Sequence, residues 1–289
     1  MKTMNWEESV ETLKKIREDG YRKSHEVIAI WIDCLSHFTH KLGDDAWVIY
    51  EQVAIAALDC GRDDIAEVQC IRKLRHRFSS SQRVRRLEGM YYESKRKFEE
   101  AREIYDKILK ADETDLMTRK RKIAILKAQH QSSEAIKELN KHLLHFQSDY
   151  DSWMELCDLY LSEQDYAKAA FCMEELLLSN PHNHLYYQKY AEIKYTQGTA
   201  DNLHIARSYF AQAIKINPNN MRALYGLYLT TNTLATSTKP KEKKEHTKML
   251  KTMSWASDQI RKKVKSTPLP VNDNLIDATD YLFESLKIA

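Results

Sequence analysis

Two acidic pairs, two histidine pairs and five cysteines are the reactive side chains that stand suggestively close together in this sequence. Asp44-Asp45 and Asp63-Asp64 set carboxylates side by side, the pairing that general acid–base catalysis exploits. Each pair precedes a predicted helix, where an acidic cap and the positive end of the helix dipole explain it without catalysis. His182 and His184 flank Asn183 just after Pro181. That spacing is open to a metal pair, but an inter-helix turn with capping side chains is the simpler reading. His142 and His145 share one helical face and read as a partly exposed polar stripe. Cys34, Cys60, Cys70, Cys157 and Cys172 are odd in number without a Cys-x-x-Cys pair, which reads as reduced thiols in a cytosolic chain. No His-Glu-x-x-His spacing and no glycine-rich phosphate loop occurs. The sequence therefore predicts no catalytic residue, no metal, no cofactor and no enzyme.

The elements that hold these groups follow from four alanines. Ala101, Ala135 and Ala169 are 34 residues apart, and Ala206 follows after 37. A period near 34 is the mark of tetratricopeptide repeats, helix–turn–helix units that bury their apolar faces only against neighbours. With only 6 glycines and 5 prolines, and with 43% apolar and 30% charged residues, turns are scarce and helix is favoured. The expected fold is all-α: a tetratricopeptide-repeat superhelical solenoid of antiparallel helix pairs.

The predicted units are 47–80, 82–115, 116–149, 150–183, 184–220 and 221–265, the last with a loop near 236–244. Residues 1–43 supply two earlier helices, at about 6–19 and 24–41. Residues 266–289 supply a linker and an amphipathic C-terminal helix over 274–288, either a cap for the array or a docking element. In the 150–183 unit Trp153 takes the large aromatic place, Ala169 the close helix crossing and Pro181 the stop. Ala66, Ala101, Ala135 and Ala206 take the same small place in other units, and Pro218 closes the fifth. Burial of Trp153 implies a loss of about 3–5 kcal/mol on truncation. One extra residue is expected just before the second unit, and three more in the turn 196–202, which holds Gly198.

Charge narrows the partners. The net charge is +3 from 45 basic and 42 acidic groups, so attraction to nucleic acid is not a composition-level expectation. RNA binding also needs stacking aromatics on a basic face, whereas many of the 16 tyrosines fall at repeat core places. The start of the chain lacks an apolar signal core, and the longest apolar run, 53–58, is far short of the roughly 20 residues a span requires. Export and membrane crossing are not expected. The basic stretches 239–244 and 261–265 suit either an anionic leaflet or plain solvent. First helices line the concave side of such arrays. Arg83, Arg86, Lys120 and Lys127 would line its earlier part, with Met154, Asp158 and Glu192 further along. The expected groove is graded in charge and receives the acidic part of a partner segment near Arg86 and Lys120.

Three stretches go beyond generic repeats: KLGDDAWVIYEQVAIAALDCGRDDIAE (41–67), DYAKAAFCMEELLLSNPHNHLYYQKYAEIKYTQG (165–198) and NMRALYGLYL (220–229). Together they resemble the family of subunit 2 of the endoplasmic reticulum membrane protein complex, also called tetratricopeptide repeat protein 35. The resemblance runs from the N-terminal helices through the last repeat. It implies a scaffold at the cytoplasmic side of the endoplasmic reticulum membrane, peripheral and without a span of its own. It also implies a place in an insertase for tail-anchored and multipass membrane proteins. The implied partners are the cytosolic parts of membrane subunits 3 and 5 and the soluble subunit 8 or 9. No catalytic residue carries over.

The rival reading is a co-chaperone that clamps the acidic C-terminal tails of heat-shock proteins. Such clamps place Lys four residues before Asn on a first helix. The pairs at those places are Glu51/Ile55, Arg86/Met90, Lys120/Ala124, Met154/Asp158 and Gln188/Glu192. None is Lys/Asn.

Overall fold

The structure is a computed structural model that describes residues 5–237, 243–266, 281 and 283–285. Among the described residues there is no strand. The helices are α1 (Trp6–Glu18), α2 (Ser24–Asp33), α3 (Asp45–Asp59), α4 (Arg72–Arg77), α5 (Gln82–Ser94), α6 (Phe98–Ala111) and α7 (Leu116–Ala128), then α8 (Ser132–His145), α9 (Tyr150–Ser162), α10 (Tyr166–Ser179), α11 (His184–Gln197), α12 (Ala200–Ile216), α13 (Met221–Ser237) and α14 (Lys243–Ser266). They form two units, the first ending at Gln131 and the second beginning at Ser132.

The turn between paired helices repeats with the sequence period. Gly61, Arg96, His130, Gln164 and Gly198 all adopt positive φ, between 58° and 72°. Their spacings are 35, 34, 34 and 34. At Arg96 the following amide, of Lys97, donates to the Tyr92 carbonyl at 2.9 Å. Gln131 to Leu126 and Asp165 to Tyr160 repeat that bond at 2.9 Å. This is the Schellman closure, which satisfies the orphan carbonyls of the first helix and sends the chain back antiparallel after a few residues. Three of the five positions are not glycine, so they accept left-handed strain of about 1–2 kcal/mol each.

The insertions fall inside helices rather than in turns. Ala66 to Ala101 and Cys70 to Tyr105 are 35 apart, but Leu74 to Ile108 is 34. The extra residue is thus taken up before Leu74, where Ile65–Ile71 winds as a π-helix leading into α4. A π turn carries one more residue per turn, so the register shifts without a break. The expected position, just before the second unit, is corrected. Likewise Gly198 keeps the ordinary turn spacing and Thr199 caps α12, accepting from the Asn202 amide at 3.3 Å. The three extra residues lengthen α12 to 17 residues, against 14 in α10.

Helix starts carry the same period. Asp115, Asp149, Asn183 and Asn220 each accept the amide of a residue two or three ahead, at 3.2, 3.4, 3.0 and 3.0 Å. Such caps satisfy donors left open by the first turn. Asp44 and Asp64 make no side-chain cap bond, contrary to the sequence reading. Asp64 pairs instead with Arg62, and Asp63 with Lys95. The helix expected over 24–41 also ends early. Cys34 leaves helical geometry at φ −135° and ψ −68°, and two 3-10 turns follow at Leu35–His37 and Thr39–Lys41. Both Cys34 and Leu35 are buried, so the bend keeps this segment within the core.

Packing rests on small residues. Ala66, Ala101, Ala135, Ala169 and Ala206 are all at 0% exposure. Gly89 on α5 receives the ring of Tyr105 from α6, and Gly226 on α13 receives Phe210 from α12. A methyl group at either glycine would lie 2.3 or 2.4 Å from the ring. In the first unit Trp31, Ile49, Val53 and Ile65 form the core with Ala54 and Ala66. In the second, Phe210, Leu224, Tyr228 and Ile260 join Ala206 and Ala213. Pro181 and Pro218 are exposed and each follows its helix by two residues, as expected of stops. Trp153 is only half-buried: its indole NH donates to the Gln147 carbonyl at 2.9 Å and its ring meets exposed Phe171 edge-on. The large cost expected for its truncation does not apply.

Of the loop read near 236–244, residues 236–237 are the end of α13 and 243–244 the start of α14, while 238–242 lie outside the described residues. Most of the helix expected over 274–288 lies outside it too. Phe283, which is described, is buried against Tyr225 and Tyr228 with the Arg261 guanidinium over its ring.

Gly89→Ala should destabilise the chain by about 1–3 kcal/mol in urea denaturation, because fully buried Tyr105 has no room to yield. Ala169→Leu should cost a similar amount. Gln164→Gly should instead gain about 0.5–1 kcal/mol by releasing left-handed strain. A loss on that last substitution would contradict the turn geometry.

Candidate partner-binding surface

First helices face one another across successive pairs, and their charges are arranged as a ladder. In the first unit Arg83 of α5 donates from Nε to Glu51 of α3 at 2.6 Å, and Arg121 of α7 reaches Glu93 of α5 at 3.3 Å. In the second unit Lys189 of α11 meets Asp158 of α9 at 2.5 Å and the Met154 sulfur at 3.3 Å. Arg222 of α13 grips Glu192 of α11 with two bonds, at 2.6 and 3.1 Å. In each case the acid sits on one first helix and the cation on the next, 28 to 32 residues later. Gln188 and Asn220 add a bond at 2.8 Å between α11 and the start of α13.

Arg86 runs the other way. Its Nη1 donates to both oxygens of Asp115, at 2.9 and 3.0 Å, and that carboxylate also caps α7 through Thr118. Arg86 is 24% exposed and Asp115 12%, the most enclosed of the arginine–carboxylate pairs described. Of the residues read from the sequence as groove-lining, Arg83, Arg86, Met154, Asp158 and Glu192 therefore all bind other helices of the chain. Lys120 is half-buried and Lys127 exposed on α7. The four basic positions lie in the first unit and the other three in the second. The sequence reading missed Glu51, Asp115, Lys189 and Arg222. Their signal is present as opposite charges about one repeat apart, and it becomes visible only once the repeat register is known.

A cavity of about 390 Å³ lies between α5, α6 and α7, lined by Glu93, Arg96, Phe98, Ile125 and His130 among others. Burial holds the Glu93 carboxyl above the usual carboxylate range, against the pull of the Tyr105 hydroxyl and of Arg121. Burial and the neighbouring Glu93 push the Tyr105 phenol upward in turn. Thiols are likewise muted: burial pushes Cys157 up to about 11 and Cys70 and Cys172 up to about 12. Such groups stay protonated and are poor nucleophiles or metal ligands.

The histidines are placed differently from one another. His142 is buried, bonds Asp149 through Nε2 at 2.9 Å and stacks on Phe146, so it is no exposed stripe; only His145 is exposed. The reason is that Asp149 is also the cap of α9 and draws the imidazole inward. His184 lies within 3.0 Å of both Asn217 and Asn220, in a helix-end network. Among the described residues no group of three or more His, Cys, Asp or Glu is placed to hold a metal. No helix among them is long and apolar enough to cross a membrane.

What the surface offers instead is apolar contact. Leu144 on α8 and Leu178 on α10 stand 34 residues apart at equivalent places, 75% and 78% exposed. Phe171 adds a ring at 53% exposure. Exposed apolar side chains repeated at one place suit contact with other proteins.

Helix pairs closed by left-handed turns at a 34-residue period define a tetratricopeptide-repeat protein. The fold is shared with the C-terminal part of a TPR repeat-containing protein from Cytophaga hutchinsonii (TM-score 0.60, 16% identity, 93% of this chain and 98% of that one). Residues 76–214 match the EMC2 TPR-like repeat domain. ER membrane protein complex subunit 2-B of Xenopus laevis is 47% identical over 289 residues, 99% of this chain and 96% of its own length. ER membrane protein complex subunit 2 of Dictyostelium discoideum is 31% identical over 96% of this chain and 90% of its own length. The chain belongs to the ER membrane protein complex subunit 2 family. Family and fold are of a non-catalytic scaffold type.

Arg86→Ala should cost about 1–3 kcal/mol, since it strips an enclosed carboxylate of two charged hydrogen bonds. Arg83→Ala should cost at most about 1 kcal/mol, because Arg83 is itself 66% exposed in its pair with Glu51. Equal losses in thermal denaturation would refute the ranking. Glu93 gives a pH test. Its folded value lies above the unfolded one, so its contribution is full below the unfolded value and is lost as pH rises through the folded value. Glu93→Gln should therefore flatten the fall in stability just above the usual carboxylate range.

Proposed function

We propose that this chain is a scaffold subunit of the ER membrane protein complex, held peripherally at the cytoplasmic side of the endoplasmic reticulum membrane. The six predicted pairs, 47–265, supply the repeats on which other subunits rest. Its partners are the cytosolic parts of membrane subunits 3 and 5 and the soluble subunit 8 or 9. Through them it organises the cytosolic portion of an insertase for tail-anchored and multipass membrane proteins. The observation that carries this reading is the 47% identity over 99% of the chain to proteins named as subunit 2 of that complex. Two physical features agree with it. The charges of the first helices stiffen the array rather than serve a reaction, and apolar side chains stand exposed at repeated places.

Arg83, Arg86, Lys120 and Lys127 contribute to receiving an acidic partner segment in the first unit, and Arg86 also fixes the start of α7. The N-terminal helices and the C-terminal segment count as separate elements, and Phe283 packs on Tyr225 and Tyr228 of α13 beside Arg261 of α14.

Affinity capture of the tagged chain from detergent-solubilised membranes tests the assignment. Recovery of integral membrane subunits with a soluble one is expected; recovery of heat-shock proteins alone would establish the clamp instead. Charge reversal at Arg86 and Lys120 together should weaken capture. Lys120→Glu alone, which leaves the Arg86–Asp115 pair intact, should weaken it too. Capture unchanged in both variants would remove the groove from the proposal.

A further inference from the structure

The stretch 68–87 holds seven lysines and arginines and not one carboxylate. It spans the end of the π-helical segment, α4, a short turn and the start of α5. In that turn stand three consecutive serines, Ser79, Ser80 and Ser81. Ser79 and Ser80 are exposed, and the turn is closed by the Ser81 amide donating to the Phe78 carbonyl at 3.1 Å. Phe78 sets its ring edge-on against Trp47, 5.4 Å between centroids, which pins the turn to α3 and leaves the hydroxyls outward. Counting back from Ser80, Arg77 is three residues before it and Arg75 five. Arg75, His76 and Arg77 are all exposed in the last turn of α4, the end of the helical stretch that begins at Ile65, and helix ends fray at little cost.

We infer that Ser80 is a phosphorylation site for a serine kinase that selects arginine three and five residues before its acceptor. In the reaction the Ser80 hydroxyl oxygen attacks the γ-phosphorus of ATP. The new O–P bond forms as the bond to the β-phosphate oxygen breaks, ADP leaves, and the hydroxyl proton passes to the kinase's catalytic carboxylate. The product carries close to two negative charges within a stretch that has none of its own. It lies one residue before the cap of α5. That helix has no acidic residue in its first turn, no side-chain cap bond, and Arg83 at its second position. Phosphate there is matched by Arg77 and the open amides of the first turn of α5, so modification tightens the α4–α5 junction rather than melting it. This inference stands apart from the scaffold assignment and is read without any partner subunit.

The purified, folded 289-residue chain is incubated with such a kinase and ATP, and the product is mapped by mass spectrometry. One phosphate at Ser80 is expected, absent in Ser80→Ala and reduced at least tenfold in rate in Arg77→Ala. The phosphorylated chain should melt about 2 °C higher at low salt, with the gain shrinking in high salt. No incorporation into the folded chain, incorporation only after heating, or an undiminished rate in Arg77→Ala would overturn the site. A lower melting temperature after modification would overturn its stabilising role.

Discussion

Close approach between the two helices of each pair is the constraint from which the rest of this molecule follows. An alanine with no exposed surface sits at the crossing in five of the units, and two glycines accept an aromatic ring where no methyl group would fit. At such distances neither helix can rotate without a clash, so the faces that look outward are decided by the faces that look in. Every later feature depends on that fixed rotation, including the caps, the inter-helix charges and the exposed leucines.

The charge ladder shows how a repeat array uses its surface. One exposed ion pair contributes little, about 0–1 kcal/mol, because solvent screens it and two long side chains must be ordered. Recurring between consecutive first helices, such pairs act on register and spacing more than on total stability. Arg86 differs in kind: it joins a carboxylate that is also the cap of the next first helix, so one group fixes both a helix start and its neighbour. An arginine that reads as a partner contact in a linear sequence is thus an internal fastening. The same holds for His142, which Asp149 draws into the core.

Insertions show where the fold is tolerant. Added residues are absorbed as a π turn near Cys70 and as a longer α12, while the left-handed turns from Arg96 to Gly198 keep a 34-residue beat. Helices lengthen or locally unwind without breaking hydrogen bonds elsewhere. The turns have no such freedom, because each closes two carbonyls and aims the next helix.

The sequence by itself determined the helical class, the period, the small residues at the crossings and the proline stops, since these are local or strictly periodic signals. It also carried the family resemblance. It did not decide which charges face a partner, because Glu51 and Arg83, or Glu192 and Arg222, meet only after successive pairs have stacked. Nor did it show that Arg96, His130 and Gln164 take a left-handed backbone, since none is glycine and only the forced return of the chain demands it. Trp153 makes the same point: its side-chain type announced a core place, while packing set it at a half-open edge against Phe171. Periodicity fixes what each helix buries; the contacts between helices fix what is left for everything else.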